Sequence, residues 1–189
     1  MKFRKILYLV LVISLLIVGG GFVNNFVKKE VGLARNENIR GEDGSGKIED
    51  VNSSNKKYSN TEYGFSFEYP SSFTVGQFYD GEGESIVVQE ASSTSSKSGF
   101  QVYVSPVEAP VEITPELIKK ELPGTLVSNP QKIELDGKAK GMLFSSNSPA
   151  FDGKSAEIWF YYQGRVYQVT SYPEGAQKMM EIIGTWKFR

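Results

Sequence analysis

The amino-acid sequence predicts an α+β domain, a mainly antiparallel sheet flanked by helices, preceded by an N-terminal transmembrane helix and a flexible linker. Three observations carry this. Several short stretches alternate apolar and polar residues with period two and are separated by tight-turn residues. Two segments combine helix-capping residues with helical apolar spacing. Residues 6–23 contain no charged side chain.

That last stretch is the proposed membrane contact. Ile6–Val18 is apolar except for Ser14, and Gly19 to Val23 lengthen the uncharged run to 18 residues. At about 1.5 Å per residue it reaches about 27 Å, the thickness of a thin hydrocarbon core. Lys2, Arg4 and Lys5 precede it, which holds that end in the cytoplasm and places the rest outside. Lys28 and Lys29 beyond it reduce the asymmetry. A cleaved signal peptide, leaving a secreted product, is the competing reading, with Gly19–Gly21 as the small residues at the cut. No Ala-x-Ala site is present, so a retained single-pass anchor is favoured. A lipoprotein is excluded, because lipid attachment needs a cysteine and the chain has none.

Residues 24–57 are dominated by Asn, Glu, Lys, Gly, Ser and Asp, with scattered apolar positions such as Val31, Ile48 and Val51 in no sustained period. Such composition cannot offset ordering entropy by burial, and the stretch reads as a linker with a reach of about 30 Å. The sequence therefore divides into an anchor at 1–23, a linker at 24–57 and a folded domain at 58–189.

Within the domain, Phe65, Phe67 and Tyr69 alternate with Ser66 and Glu68, giving a half-buried strand closed by Pro70. Thr74–Phe78, Ser85–Gln89 and Phe100–Pro106 follow as strands. Thr114, Pro115 and Glu116 open a helix: a capping hydroxyl, a proline suited to the first position and a carboxylate at the positive end of the dipole. Pro123 and Gly124 end it. Lys132–Leu135 and Lys138–Phe144 flank Asp136-Gly137, a hairpin signal because both central residues must take positive φ. Glu157–Tyr162 and Arg165–Ser171 flank Gln163-Gly164. Both faces of this second hairpin are apolar, which predicts cover on both sides. A helix over Gly175–Ile183 and a short strand ending at Phe188 complete the chain.

Two segments carry a family resemblance. Tyr58-Ser-Asn-Thr-Glu-Tyr-Gly-Phe-Ser-Phe-Glu-Tyr-Pro-Ser-Ser-Phe73 resembles the opening of PsbP-like domains, with an aromatic-Gly-Phe strand running into a Tyr-Pro-x-x-aromatic turn. The ending, Gly-Arg-Val-Tyr-Gln-Val-Thr170 followed by a helix and Ile-Gly-Thr-Trp-Lys-Phe188, is similar too. The resemblance implies an αβα sandwich and proteins that are mostly non-catalytic binding or assembly factors. The metal-binding histidines of plant members have no counterpart, since the chain has no histidine.

The missing histidine and cysteine also remove thiolate and imidazole catalysis and the common transition-metal ligand sets. No P-loop, Gly-x-Ser-x-Gly elbow or dinucleotide fingerprint appears. Residues 58–189 carry eleven Lys/Arg against sixteen Asp/Glu. An acidic domain lacks the cations that nucleic-acid binding requires, and no cofactor is implied.

Two weak sites remain. Asp80, Glu82 and Glu84 alternate with glycines and offer oxygens to a hard cation such as Ca²⁺, though without EF-hand spacing; a solvated loop is the plainer reading. Trp159, Tyr161 and Tyr167 are aromatics of the kind that anchor ligands, though cross-strand packing explains them equally. The expected function is a membrane-tethered, extracytoplasmic, non-catalytic binding or assembly module with a protein partner in the cell envelope. The alternatives are a carboxylate-dependent carbohydrate hydrolase using strand residues such as Glu68, Glu90, Glu134 and Glu157, or a sensor of divalent cations or small ligands.

Overall fold

A computed structural model describes residues 46–51, 54–79, 81, 83–92 and 96–189. The anchor segment Ile6–Val23 lies outside the described residues, and among those described no helix is long and apolar enough to cross a membrane.

Among the described residues, eleven strands and two α-helices follow in order: β1 (Gly46–Asp50), β2 (Asn55–Asn60), β3 (Phe65–Pro70), β4 (Phe73–Tyr79), β5 (Glu84–Glu90), β6 (Phe100–Pro106), α1 (Pro115–Glu121), β7 (Ser128–Leu135), β8 (Ala139–Ser146), β9 (Ser155–Tyr162), β10 (Arg165–Ser171), α2 (Ala176–Ile183) and β11 (Lys187–Phe188). The strands form two antiparallel sheets, one ordered β1-β2-β3-β11 and one ordered β4-β5-β6-β10-β9-β8-β7.

Local chemistry explains most boundaries. The Leu117 amide donates to the Thr114 hydroxyl at 3.2 Å, so the cap expected for α1 is made. Asp136 and Gly137 take φ of 52° and 64°, which lets two residues turn β7 into β8. Gln163 and Gly164, at 43° and 78°, do the same between β9 and β10.

The architecture departs from the sequence expectation in two respects. β1 (46–50) and the first residues of β2 (55–57) fall within the stretch 24–57 that composition assigned to the linker. β1 is exposed along most of its length and is held by pairing with β2, from Gly46 opposite Asn60 to Asp50 opposite Lys56. A polar strand held by backbone pairing has no apolar period to betray it. The second departure is the cover of the large sheet. One of its faces is packed by the four-stranded sheet, with α2 closing the same core, rather than by a helix layer alone.

That main core joins Phe65, Phe67 and Tyr69 of the small sheet to Ile86, Val102, Phe160 and Tyr167 of the large one, with Met179, Ile182 and Ile183 of α2. Trp186 lies within it, its ring 4.1 Å from Phe65 and 5.6 Å from Phe160. The opposite face of the large sheet carries a second cluster of Ile113, Ile118, Met142, Phe144, Trp159 and Val166, under α1 and the segment before it. The β9–β10 hairpin is thus covered on both faces, as its sequence predicts.

Candidate functional site

The structure separates the residues that the sequence grouped. Trp159 and Tyr161 belong to the cluster beneath α1, whereas Tyr167 is in the main core on the other face. The sheet itself stands between them, and Trp159 and Tyr167 are buried. The Tyr161 hydroxyl accepts the Gly164 amide at 3.0 Å, tying the ring to its own hairpin turn. These three aromatics do not line one surface.

Of the acidic trio, Asp80 and Glu82 lie outside the described residues. Glu84 is buried between the two sheets, where Asn60 Nδ2 donates to its Oε1 at 2.9 Å. The same amide reaches the Tyr58 hydroxyl at 3.3 Å, and that hydroxyl donates to Gln77 Oε1 at 2.9 Å. Burial holds the Glu84 acid above the usual carboxylate range, opposed by hydrogen bonds from Gln77, Tyr63 and Asn60. This chain of polar groups joins the sheets at β2, β4 and β5. Among the described residues, no three acidic side chains converge on a point where a cation could sit.

A second buried carboxyl, Glu157, is on the opposite face of the large sheet, in register with Thr170. It is 4% exposed. Its Oε1 accepts the Ser155 hydroxyl at 2.7 Å and the Ser146 hydroxyl at 3.2 Å, and its Oε2 accepts Thr170 at 2.8 Å. Ser146 and Ser155 are themselves 2.6 Å apart. Burial raises the acid, and the three hydroxyls work against it; the Trp159 indole N–H adds a favourable field without completing a hydrogen bond. Thr170 also lines a narrow cleft with Val87, Gln89, Gln101, Phe151 and Tyr172. Phe151 and Tyr172 meet edge to face at 4.9 Å, and Lys97 sits 5.2 Å from the Tyr172 ring centre while pairing with Asp152 at 3.0 Å. This arrangement can hold a proton on Glu157 behind the wall of a mainly apolar cleft. The two buried carboxyls lie on opposite faces of one sheet, so they do not form a facing acid–base pair.

Among the described residues, both sheets end on one flank that carries exposed apolar side chains. The Tyr58–Gln77 bond and the close approach of Gly46 to Gln77 place β1 beside β4, each the last strand of its sheet. Six large apolar side chains are exposed among the described residues, and four of them, Ile48, Val51, Phe78 and Tyr79, belong to this flank; Tyr79 is 73% exposed. β4 (FTVGQFY) has no charge and no proline. The opposite end of the large sheet is guarded. There β7 (SNPQKIEL) carries Pro130, Lys132 and an irregular register around Asn129, whose φ is 52°. These devices discourage pairing, and β4 has none of them.

The sequence reading passed over this flank and over the hydroxyls around Glu157. For β4 the signal was present: a strand without a charge or proline beside a stretch rich in glycine. Ser146, Ser155 and Thr170 gave no local signal, because only strand register brings them to one carboxylate.

The fold and its surface define a two-sheet α+β domain in which one terminal strand, β4, carries no guarding charge or proline. No protein-family model matches the chain, and no curated protein matches it. Among solved structures it is similar to the solution structure of cyanobacterial PsbP (CyanoP) from Synechocystis sp. PCC 6803, with a TM-score of 0.48 and 12% sequence identity over 83% of this chain and 99% of that one.

Proposed function

We propose that this chain is a membrane-tethered, extracytoplasmic binding or assembly module, non-catalytic, that docks a protein partner by strand addition along the β1/β4 flank. The observation that carries the reading is the concentration of exposed apolar side chains on two terminal strands, one of them without charge or proline. An open strand edge offers a row of backbone donors and acceptors to an incoming strand, and flanking apolar side chains add affinity. The uncharged Ile6–Val23 segment supports the tether, which raises the local concentration of partners in the same membrane.

The test is the native size of the full chain extracted from membranes of its source cells. Wild-type chain is expected in an assembly larger than itself, and Phe78→Glu with Tyr79→Glu is expected to release it. Wild-type chain running as a monomer, or found soluble in the cytoplasm, would overturn the reading.

A further inference from the structure

Resting on this docking reading, we infer that the occupant of the flank is a second copy of this chain, paired β4 to β4 about a two-fold axis. A strand that meets its own copy in antiparallel fashion is opposed to its own reverse, so its side chains must be compatible with themselves. β4 satisfies this about Gly76. Phe73 then lies opposite the partner's Tyr79, Val75 opposite the partner's Gln77, and Thr74 opposite the partner's Phe78. No like charges meet, and aromatic rings pair at both ends, which is the favourable cross-strand combination.

Gly76 suits the axis. It has no side chain to obstruct its own image, and the Phe78 ring already leans over it, 3.2 Å from where a Cβ would stand. The register of β4 with β5, from Phe73 opposite Glu90 to Tyr79 opposite Glu84, shows that β4 is extended along its full length. It is therefore shaped to accept a second neighbour.

Charge complementarity on the adjoining strand points the same way. β1 carries Lys47 and Glu49 on either side of Ile48, now paired with each other on the exposed face. An antiparallel match of β1 with its copy about Ile48 sets Lys47 against the partner's Glu49 at both ends. A heterologous partner would need no such self-complementarity in either strand. The two-fold match closes the assembly at two copies and consumes the open edge, which a head-to-tail pairing would leave exposed.

Because the chain has no native cysteine, single-cysteine variants of the full chain give an unambiguous readout. Cysteine is placed in turn at Thr74, Val75, Gly76, Gln77 and Phe78, with Lys132 on the guarded edge as reference, and the purified chain is oxidised under mild conditions. Gly76→Cys requires only that the Phe78 ring yield slightly. The expected result is a disulfide dimer whose yield peaks at or beside Gly76, falls toward both ends of β4 and is at least tenfold lower at Lys132. Adding Phe78→Glu should lower the peak at least tenfold while leaving the far-ultraviolet circular dichroism and thermal midpoint unchanged. That control separates β4 pairing from association through the N-terminal segment, which the variant retains.

A flat yield along β4, no dimer at any position, or a peak indifferent to Phe78→Glu overturns self-pairing. If the purified chain forms no dimer while Phe78→Glu with Tyr79→Glu still shrinks the native assembly in membranes, self-pairing is wrong and a different protein docks there. If neither experiment responds, the docking reading fails as well.

Discussion

Replacing Glu157 with glutamine removes an ionisable group from a site that disfavours its charge. The folded protein holds this acid above the ordinary carboxylate range because burial outweighs three donated hydroxyls. In the unfolded chain it titrates near its usual value, about 4.3. A raised folded pKa means that the folded state binds the proton more tightly. The stabilisation from protonation is complete below the unfolded value and is lost as pH rises through the folded one. The slope over that window is at most about 1.4 kcal/mol per pH unit for one proton. Glutamine keeps the shape and leaves an acceptor for Ser155 and Ser146, while its amide can donate to the Thr170 oxygen. Glu84 also titrates high, but it is present in both proteins and cancels in the difference. Urea unfolding of the two proteins from pH 4 to 8 should show the variant gaining on wild type as pH rises, with unchanged m-values, until the difference levels off. Glu157→Val is the contrasting perturbation. Ser146 and Ser155 can still bond to each other, but Thr170 loses its acceptor and the pair loses its shared one, for a cost of about 2–4 kcal/mol. A difference between wild type and glutamine that is flat or falls with pH would refute the assignment of Glu157 as a strained acid.

Other perturbations test the packing. Gly141→Ala would set a Cβ 2.2 Å from the Trp159 carbonyl oxygen on the neighbouring strand, and it should cost about 1–3 kcal/mol or more in chemical denaturation. Trp186→Ala should cost about 3–5 kcal/mol by the same measurement, with much of the loss restored in Trp186→Phe, because the ring fills the space between Phe65 and Phe160. Asp136 accepts the Phe188 amide at 3.0 Å and the Lys187 ammonium at 2.9 Å, which hold it below the usual carboxylate range. Its hold on β11 is therefore present at neutral pH and lost as pH falls through the folded value, so hydrogen exchange at Phe188 should accelerate on acidification and in Asp136→Asn at neutral pH.

Where an element advertises itself through apolar period or turn chemistry, the sequence reading matches the structure. Phe65, Phe67 and Tyr69 point into the core, Thr114 caps α1 and Asp136-Gly137 turns a hairpin because these effects act within a few residues. β1 was assigned to the linker because its polar residues are held by pairing with β2, a contact that no local pattern encodes. The packing of two sheets on each other follows from contacts such as Phe65 meeting Tyr167 across the core, a separation of more than a hundred positions that alternation cannot reveal. Of the proposed site residues, Trp159 and Tyr161 share one strand face, opposite in phase to Phe160, as strand alternation dictates. Their separation from Tyr167 depends on which face each strand turns toward the small sheet. The flank of Phe78 and Tyr79 emerges only once strand order shows that β4 has a single neighbour among the described residues.

The claim at the centre of this account is that the β1/β4 flank is an occupied interface. It is tested most directly by a photoreactive side chain, Tyr79→benzoylphenylalanine, in the full-length chain in intact membranes, with Lys132→benzoylphenylalanine as the reference. A strong adduct of twice the chain mass is expected from position 79, and little from position 132. No adduct at 79, or equal labelling at the two positions, would contradict it.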